Sequence, residues 1–375
     1  MYGWIIMASL SRTITLQIIS NIAALIIIVA IISALLVFYS QTTLQGIVVE
    51  MVQDFARQLA KNPTIPPDQR QQLVNMYQQS LMVRFGLVGN PLTKVYHMMI
   101  NIFTLNLGNS RQSYMAGTTS ISSQVIFALK NTVILFLTAT LISTLLGLGL
   151  GMYAARRPHG IIDSLVSFFA ILSSSLPMWW VGMLMLLAFA FNLHWFPTQS
   201  LPVYFAIQQL HAQYASGAIG YFTYVFDYIQ TWLYYMTLPL ITVVLVSIGG
   251  WAYIVRNVVI GKMAEDFVMT ARAKGVPERR VLFGHVLRAA SPPIVTTAVL
   301  NIIVSLGGAI ITETVFGWPG MGLLFWIAIE NSEPMLIAGN VYITVLLFII
   351  AVIILNILYV FLDPRVKTSG GQQIF

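Results

Sequence analysis

The sequence contains no cysteine and very little charge. Charged residues make up 8% of the 375 positions, whereas hydrophobic residues make up 58%. A typical soluble domain is about 25% charged and about 45–50% apolar, so this composition indicates an integral membrane protein. The absence of cysteine excludes disulfides, thiolate metal sites and cysteine nucleophiles, and says nothing about the redox compartment.

Motifs for catalysis or nucleotide binding are absent as well. The chain has no G-x-x-x-x-G-K-[ST], no H-E-x-x-H and no G-x-S-x-G. The five histidines are scattered without acidic residues at ligand spacing, so we expect no metal site and no catalytic residue. The uncharged spans also argue against a proton-coupled carrier, which normally places carboxylates or histidines at mid-membrane. An ATP-independent channel or secondary carrier for a small neutral solute, and a membrane-embedded enzyme, are the disfavoured alternatives.

Long uncharged stretches predict six transmembrane helices. Each window without Asp, Glu, Lys or Arg can supply the roughly 20 residues that a bilayer-crossing helix needs. The windows are 13–49, 131–155, 164–226 (most apolar over 164–193), 228–255, 289–312 and 334–362. We therefore predict an all-α, multi-pass protein of the cell membrane. The first stretch is too long for a signal-peptide core and is expected to be retained as a span.

The distribution of Lys and Arg predicts the orientation of the spans. Loops at about 194–227 and 313–333 contain no Lys or Arg, while basic residues gather at the opposite helix ends. By the positive-inside rule, both termini lie in the cytoplasm. The formal net charge of +7 is then a topology signal. We expect no nucleic-acid partner, because the basic residues are dispersed.

The predicted spans divide the chain into four regions. These are a tail with the first span (1–38), an extracytoplasmic segment (39–123), a five-helix core (124–367) and a C-terminal tail (368–375). Within the extracytoplasmic segment, the flanks at about 44–61 and 68–82 have helical patterns. The segment either covers the outer mouth, contacts an extracellular partner or is a solvated spacer.

A polar island at residues 256–288 interrupts the apolar pattern. It holds seven Lys/Arg and three Asp/Glu. Its centre has helix-forming residues followed by Gly275, a residue type that ends helices in the left-handed conformation, and Pro277 blocks continuation. The island therefore predicts a short helix, a sharp stop and a second helix. It is either a docking surface for a soluble partner or an ordinary basic cytoplasmic loop.

An irregular segment at residues 313–322 follows the fifth apolar window. It contains Glu313, Trp318, one proline and three glycines. Irregular backbone at membrane depth is tolerated only where it is buried in protein or lines a cavity. We predict a structured feature at the mouth of a pathway, with Glu313 and Trp318 as gate candidates. A tight loop with an interfacial Trp is the alternative.

Polar side chains inside the spans are further candidates for the pathway. They are Ser173 and Ser174, near Pro177 in the third span, and Asn301 and Ser305 in the fifth. Consecutive serines near a proline can bond backbone groups that the proline leaves free. Hydrogen bonds between helices are the favoured interpretation of these polar residues.

The polar island resembles the cytoplasmic loop of binding-protein-dependent ABC importers. Residues 266–275, followed by His285, Arg288 and Pro293, match its Glu-Ala-Ala pattern and fixed-spacing Gly, with Thr270 in place of the first member. Further matches point to the B-type permease of oligopeptide/dipeptide importers. They are Asn131 with Thr132, 154–157, Pro177 with Trp180 and Gly182, 195–197, 313–322 and 362–365. The resemblance is strongest over residues 125–367.

This resemblance implies a type I ABC importer permease core that binds no cofactor itself. A coupling helix at about 265–275, within a cytoplasmic coupling loop at 256–291, would sit in a cleft of a cytoplasmic ATPase. Its residues are Glu265, Asp266, Thr270, Ala271, Arg272, Ala273, Lys274 and Gly275. The implied partners are a second homologous permease, forming a heterodimer, and one or two ATPase subunits that bind ATP and Mg²⁺. An extracytoplasmic binding protein would deliver the substrate.

The substrate class stays open between peptides and oligosaccharides. The chain departs from the family pattern at Asn331 and Ser332 and at Asn356, which weakens any transfer of substrate preference. The Tyr-rich loop at 194–231 is either an interfacial aromatic belt or a surface that contacts carbohydrate or peptide.

Overall fold

The protein is an all-α helical bundle. The computed structural model describes residues 2–61, 66–84, 87–306 and 310–362, and within these ranges the regular structure is helical apart from one isolated bridge between Asn109 and Ser120. The first helices are α1 (Tyr2–Ala60), α2 (Pro67–Arg84), α3 (Pro91–Phe103), α4 (Ile121–Ala155), α5 (Ile161–Ser175) and α6 (Met178–Met185), which continues as π-helical turns (Leu186–Asn192). Next come α7 (Val203–Ala215), α8 (Tyr221–Met263), α9 (Asp266–Ala273) and α10 (Glu278–Arg280). After π-helical turns (Val281–Val286), the chain forms α11 (Leu287–Leu306), α12 (Ile310–Phe316), α13 (Met321–Glu330) and α14 (Pro334–Leu362).

Among the described residues, four helices are long and apolar enough to cross a bilayer. Their candidate spans are Ile19–Tyr39, Ile121–Ala155, Tyr221–Met263 and Pro334–Ile354. Two further pairs of helices are long and apolar enough to cross a bilayer only if each pair counts as one span. The chain bends by 96° between α5 and α6 and by 86° between α12 and α13. Four to six candidate spans confirm the prediction of a multi-pass, all-α membrane protein. The count of six and the cytoplasmic location of both termini stay predictions.

The third predicted span is broken rather than continuous. Helix α5 ends at Ser175, Leu176 is extended with φ −95° and ψ 128°, and Pro177 precedes the first turn of α6. Proline has no N–H to continue the helical ladder and restricts the residue before it to extended conformations. The expectation of one helix over 164–193 is therefore wrong at this point.

A second proline lies inside α8 without breaking it. Pro239 cannot bond the carbonyl of Tyr235, one turn earlier, because it lacks an N–H. The hydroxyl of Ser200 donates to that carbonyl oxygen at 3.0 Å. Ser200 is buried, so this bond satisfies a backbone group that water does not reach. The loop between α6 and α7 thus supports the continuity of the longest described helix of the core.

The segment at 39–123, predicted to be extracytoplasmic, is partly integrated into the bundle. Its first predicted flank is the end of α1, and its second is α2. Further on, Ile102, Leu107 and Met115 are buried in an apolar cluster with Leu336 of α14. This part of the segment is packed protein rather than a solvated spacer.

The loop before α4 is fixed by polar contacts with the start of α14. The buried Glu333 carboxylate accepts the Arg111 N–H at 2.9 Å and the Tyr114 hydroxyl at 3.1 Å. Burial, followed by the nearby charge of Glu333, raises the pKa of Tyr114 to about 12. Tyr114 is therefore an O–H donor at physiological pH, and it holds the loop against the carboxylate.

Close packing of α4 against α8 organises the rest of the bundle. A Cβ added at Gly147 would lie 2.5 Å from Trp251 Cβ, and one at Gly151 would lie 2.5 Å from the carbonyl oxygen of Ala252. Glycine therefore allows the two backbones to approach each other, as small residues do between membrane helices. Both helices contribute to the apolar cluster around Trp318 and to the cluster that reaches α9.

We expect Gly151→Ala to destabilise the protein, because its methyl group has no space against α8. Overpacking of this kind costs about 1–3 kcal/mol. Gly149→Ala is the matched control, since its Cβ would meet nothing within 4 Å. Thermal unfolding of the purified protein in detergent measures the difference. Equal unfolding temperatures for the two variants would contradict the described packing.

Candidate functional site

The polar island forms a short helix with the predicted stop. Helix α9 begins after Glu265 and is followed by Gly275, which has φ +74°. The Gly275 N–H donates to the carbonyl of Arg272 at 2.9 Å, and the Val276 N–H donates to that of Ala271 at 3.2 Å. These two bonds are the pattern of a Schellman cap, in which a left-handed residue satisfies the last carbonyls of a helix. The predicted helix and stop are confirmed.

One face of α9 anchors the segment to the bundle. Val268 is 1% exposed and lies in an apolar cluster with Met152 of α4, Val255 of α8 and Val281 of the π-helical turns. Ala271 and Val276 pack against the same cluster. Sequence reasoning missed Val268, although its spacing of three residues from Ala271 is typical of one apolar helix face. A displacement of α9 therefore acts first on the π-helical turns (Val281–Val286) and reaches α4 and α8 through the shared cluster.

The other face of α9 is exposed. The predicted docking residues lie there, apart from the half-buried Ala271; they are Glu265, Asp266, Thr270, Arg272, Ala273, Lys274 and Gly275. Met269, which sequence reasoning did not single out, is 68% exposed on the same helix. Methionine is one of the residue types enriched at protein interfaces.

Arg272 is engaged within the chain. Its Nε and Nη2 atoms donate to the two carboxylate oxygens of Glu278 at 3.1 and 2.6 Å, which bridges the turn between α9 and α10. The hydrogen bond from Arg272 lowers the pKa of Glu278, and the same bond raises the pKa of Arg272. Both side chains are about half exposed, so solvent weakens the pair. Lys274 forms no ion pair with any residue that the structure describes.

The Gly-rich segment is mostly helical rather than irregular. Helix α12 continues through Phe316, α13 begins at Met321, and the irregular backbone is limited to residues 317–320. Trp318 is fully buried, so it is not an interfacial residue. Its Nε1–H donates to the carbonyl of Asn131 at 3.1 Å, and the Asn131 amide donates to Pro319 at 2.8 Å. The prediction that this irregular backbone is buried in protein is confirmed. The prediction that the irregular backbone extends over residues 313–322 is wrong.

Glu313 caps the start of α13. Its carboxylate accepts the Thr132 hydroxyl at 2.7 Å and the Gly322 N–H at 2.6 Å, with the Leu323 N–H at 3.4 Å. Thr132 in turn accepts the Met321 N–H at 2.7 Å. The first three N–H groups of α13, which have no partner within a helix, are thus satisfied by two buried side chains.

Gly320 makes room for this arrangement. A Cβ at Gly320 would lie 2.4 Å from a Glu313 carboxylate oxygen and 2.5 Å from the Thr132 hydroxyl. The structure therefore gives Glu313 and Trp318 roles in tertiary packing, and their role as gate residues stays a prediction.

The polar pathway candidates bond to their own helices. Ser173 and Ser174 donate to the carbonyl of Ala170 at 3.2 and 2.8 Å, and the Asn301 amide donates to Thr297 at 2.9 Å. None of these three bonds joins two helices, contrary to the favoured interpretation. Pro177 leaves the carbonyl of Ser173 without its helical partner. The two serine hydroxyls bond the carbonyl of Ala170 instead, about one turn earlier. The side chain of Ser305 lies outside the described residues.

Within the described ranges, no group of three His, Asp or Glu side chains is arranged to hold a metal ion.

Comparison with known proteins identifies the family of this chain. Residues 147–368 match the family described as binding-protein-dependent transport system inner membrane component. The chain belongs to this family, whose members are permease subunits of the cell membrane, with ATP hydrolysis on a separate subunit. Such a permease works with an ATPase and with a substrate-binding protein.

Two curated relatives are named as peptide transport components. The chain is 30% identical to the oligopeptide transport system permease protein AppB of Bacillus subtilis (strain 168), over 69% of this chain and 76% of the relative. It is 29% identical to the di/tripeptide transport system permease protein DppB of Pseudomonas aeruginosa (strain UCBPP-PA14), over 62% of this chain and 69% of the relative.

Removal of the Glu313 carboxylate is expected to destabilise the packing of α13. Glu313→Ala leaves the Thr132 hydroxyl and the Gly322 N–H without their acceptor in a buried site, at about 1–3 kcal/mol for each group. Glu330→Ala, at the exposed end of the same helix, is the control and should stay within about 0.5 kcal/mol of the unmodified protein. Thermal unfolding and the rate of proteolysis near residues 317–320 compare the two variants. A Glu313→Ala variant that is as stable as Glu330→Ala would contradict a capping role.

Proposed function

We propose that this chain is one of two pore-forming permease subunits of an ATP-driven peptide importer. The observation that carries the proposal is the exposed helix α9, which has a defined end at Gly275 and one buried anchor at Val268. A docking helix must be rigid enough to transmit a displacement and must leave a face free for the partner. Helix α9 meets both requirements.

The proposed docking surface consists of the exposed residues of α9, with Glu265 before it and Lys274 and Gly275 after it. Lys274 and Met269 supply the contacts to the ATPase, since Arg272 is held by Glu278. Closure of the ATPase dimer on ATP, which binds there with Mg²⁺, would displace α9. Through Val268 the displacement reaches α4 and α8, the two helices at the centre of the bundle.

Peptides are the substrate class that we propose. The named relatives belong to oligopeptide and di/tripeptide systems. The predicted spans contain no charged residue in their central windows, which suits a substrate recognised through neutral groups such as peptide amides. A second, homologous permease would complete the pore as a heterodimer, and an extracytoplasmic binding protein would deliver the peptide. Oligosaccharides are the alternative that the assay below tests.

Purification of the tagged protein from its native host in mild detergent tests the assembly. We expect a second permease and one or two ATPase subunits in the purified complex, identified by mass spectrometry. After reconstitution with the binding protein, labelled peptides should be taken up in an ATP-dependent manner, and labelled oligosaccharides should not. Recovery of the chain without any ATPase, together with uptake that does not need ATP, would support a channel or carrier instead.

Substitution at Gly275 is expected to separate ATP hydrolysis from uptake. A β-branched residue is disfavoured in the left-handed conformation, where an ordinary L-residue already costs about 1–2 kcal/mol. Gly275→Val should therefore displace the end of α9 and lower peptide uptake about tenfold, as expected for the loss of coupling between two sites. Basal ATP hydrolysis and membrane insertion should persist.

Gly275→Asn is the matched control, because Asn tolerates the left-handed conformation better than other residues. A Cβ at position 275 meets nothing within 4 Å, so both variants fit sterically and differ mainly in backbone preference. The Asn variant should retain most of its uptake. Wild-type uptake in the Val variant would refute a coupling role for the end of α9.

A further inference from the structure

Asp163 and Arg256 form a buried ion pair between two helices. The Nε and Nη2 atoms of Arg256 donate to the two carboxylate oxygens of Asp163 at 2.5 and 2.7 Å. The His159 N–H donates to the same carboxylate at 2.8 Å, and Arg256 Nη1 donates to Asn257 at 2.8 Å. The side chains are only 4% and 18% exposed for Asp163 and Arg256. This pair is the most buried ion pair among the described residues.

The pair joins α5 to the helix that leads into α9. Asp163 lies in the first turn of α5. Arg256 lies two turns before the end of α8 at Met263, and α9 begins at Asp266. Those two turns form a continuous helix. A shift of α9 along the axis of α8, or a rotation about that axis, should therefore displace Arg256 by nearly the same amount.

A second contact holds the same two helices farther from α9. At Gly249 a Cβ would lie 3.0 Å from Ala170 Cα, so α8 and α5 touch backbone to backbone. The nearest atoms also include the Ser173 hydroxyl and the Phe169 carbonyl oxygen, so this is a contact of close van der Waals packing, which has little directional preference. A bidentate guanidinium–carboxylate pair fixes both position and angle. The ion pair therefore adds a directional link to the packing of α5 against α8.

Helix α5 leads to the Gly-rich turn at residues 317–320. Beyond the 96° bend, α6 places Gly182 against Phe316, where a Cβ would lie 2.9 Å from the ring. Leu186 and Ala190 share an apolar cluster with Phe316 and Trp318. A displacement of α5 is thus transmitted through packed side chains to the turn that Glu313 and Thr132 support.

We propose that Asp163 and Arg256 are a positioning pair for transport, which makes α5 follow α8 when the ATPase displaces α9. The inference rests on the proposed function, because it assigns the pair a role in a cycle that the ATPase drives. A purely structural pair would contribute to folding alone. Buried ion pairs often add little to stability compared with neutral replacements, so a role in transmission accounts better for two charges placed here.

Neutral replacement of both residues separates the two roles. Asp163→Asn or Arg256→Gln alone leaves one buried charge without a partner, and each should lower both the unfolding temperature and uptake. The double variant Asp163→Asn/Arg256→Gln buries no charge and should recover most of the unfolding temperature. Peptide transported per ATP hydrolysed should stay about tenfold below the unmodified complex, since the directional link is missing. Recovery of transport together with stability would overturn the proposal.

A distance measurement follows the motion itself. The chain has no cysteine, so spin labels can be attached at Leu165→Cys on α5 and Leu245→Cys on α8, which are 59% and 39% exposed. With the ion pair present, we expect the same label-to-label distance in the nucleotide-free and ATP-bound complexes. In the double neutral variant, the distance should change with nucleotide. A nucleotide-dependent distance with the pair intact would contradict the inference.

The two proposals fail in different ways. If the purified complex contains no ATPase and uptake needs no ATP, the proposed function is wrong, and the pair has no driven cycle to serve. If ATP-dependent peptide uptake is present and the double neutral variant transports normally, only the positioning role is wrong.

Discussion

The close approach of α4 and α8 is the contact on which the rest of the bundle depends. Gly147 and Gly151 bring the two backbones together, and no other residue type fits against Trp251, Ala252 and Val255. Lipid chains are as apolar as leucine, so burial from water does not drive helices together inside a bilayer. Packing of surfaces without side chains supplies the association instead. The clusters around Trp318 and Val268 are built on these two helices.

Buried backbone groups impose the second constraint. In the apolar core of a membrane, an N–H or C=O group without a partner costs several kcal/mol, on the order of the desolvation penalty. The chain meets this demand with side chains at two places where the helical hydrogen-bond pattern is interrupted. Ser200 bonds the carbonyl that Pro239 leaves free, and Glu313 with Thr132 bonds the first N–H groups of α13. Broken helices are therefore supported by residues from other parts of the fold.

Some of the few charged residues hold the fold together, and others lie exposed. Glu333 fixes the loop before α4, and Asp163 pairs with Arg256 between α5 and α8. In contrast, Lys274 lies exposed beside α9. A permease without a nucleotide-binding motif depends on another subunit for energy, so its charged, accessible surface is best placed where that subunit docks. The buried Val268, with Ala271 and Val276 packed against the same apolar cluster, links this surface to the bundle.

Much of the protein follows from sequence alone, because those features are local. Composition determines the membrane class, and long apolar windows determine most of the helices. The end of α9 is also local, since Gly275 and Pro277 act on the backbone within a few residues of their own positions. The family resemblance rests on short motifs of the same kind, and it extended the prediction to partners that local physics does not reveal.

Only the tertiary structure decided the contacts between distant residues. Thr132 and Glu313 are 181 positions apart, and Asp163 and Arg256 are 93 apart. No periodicity connects such pairs; they meet because glycines allow the helices between them to pack closely. The bend at Pro177 is only partly predictable from the sequence. The proline itself is visible there, but Pro239 is visible too and lies inside α8 without ending that helix. The hydroxyl of Ser200, 35 residues from Tyr235, bonds the carbonyl that Pro239 leaves free. Only the folded chain brings such a distant partner to the backbone group that a proline leaves without its helical bond.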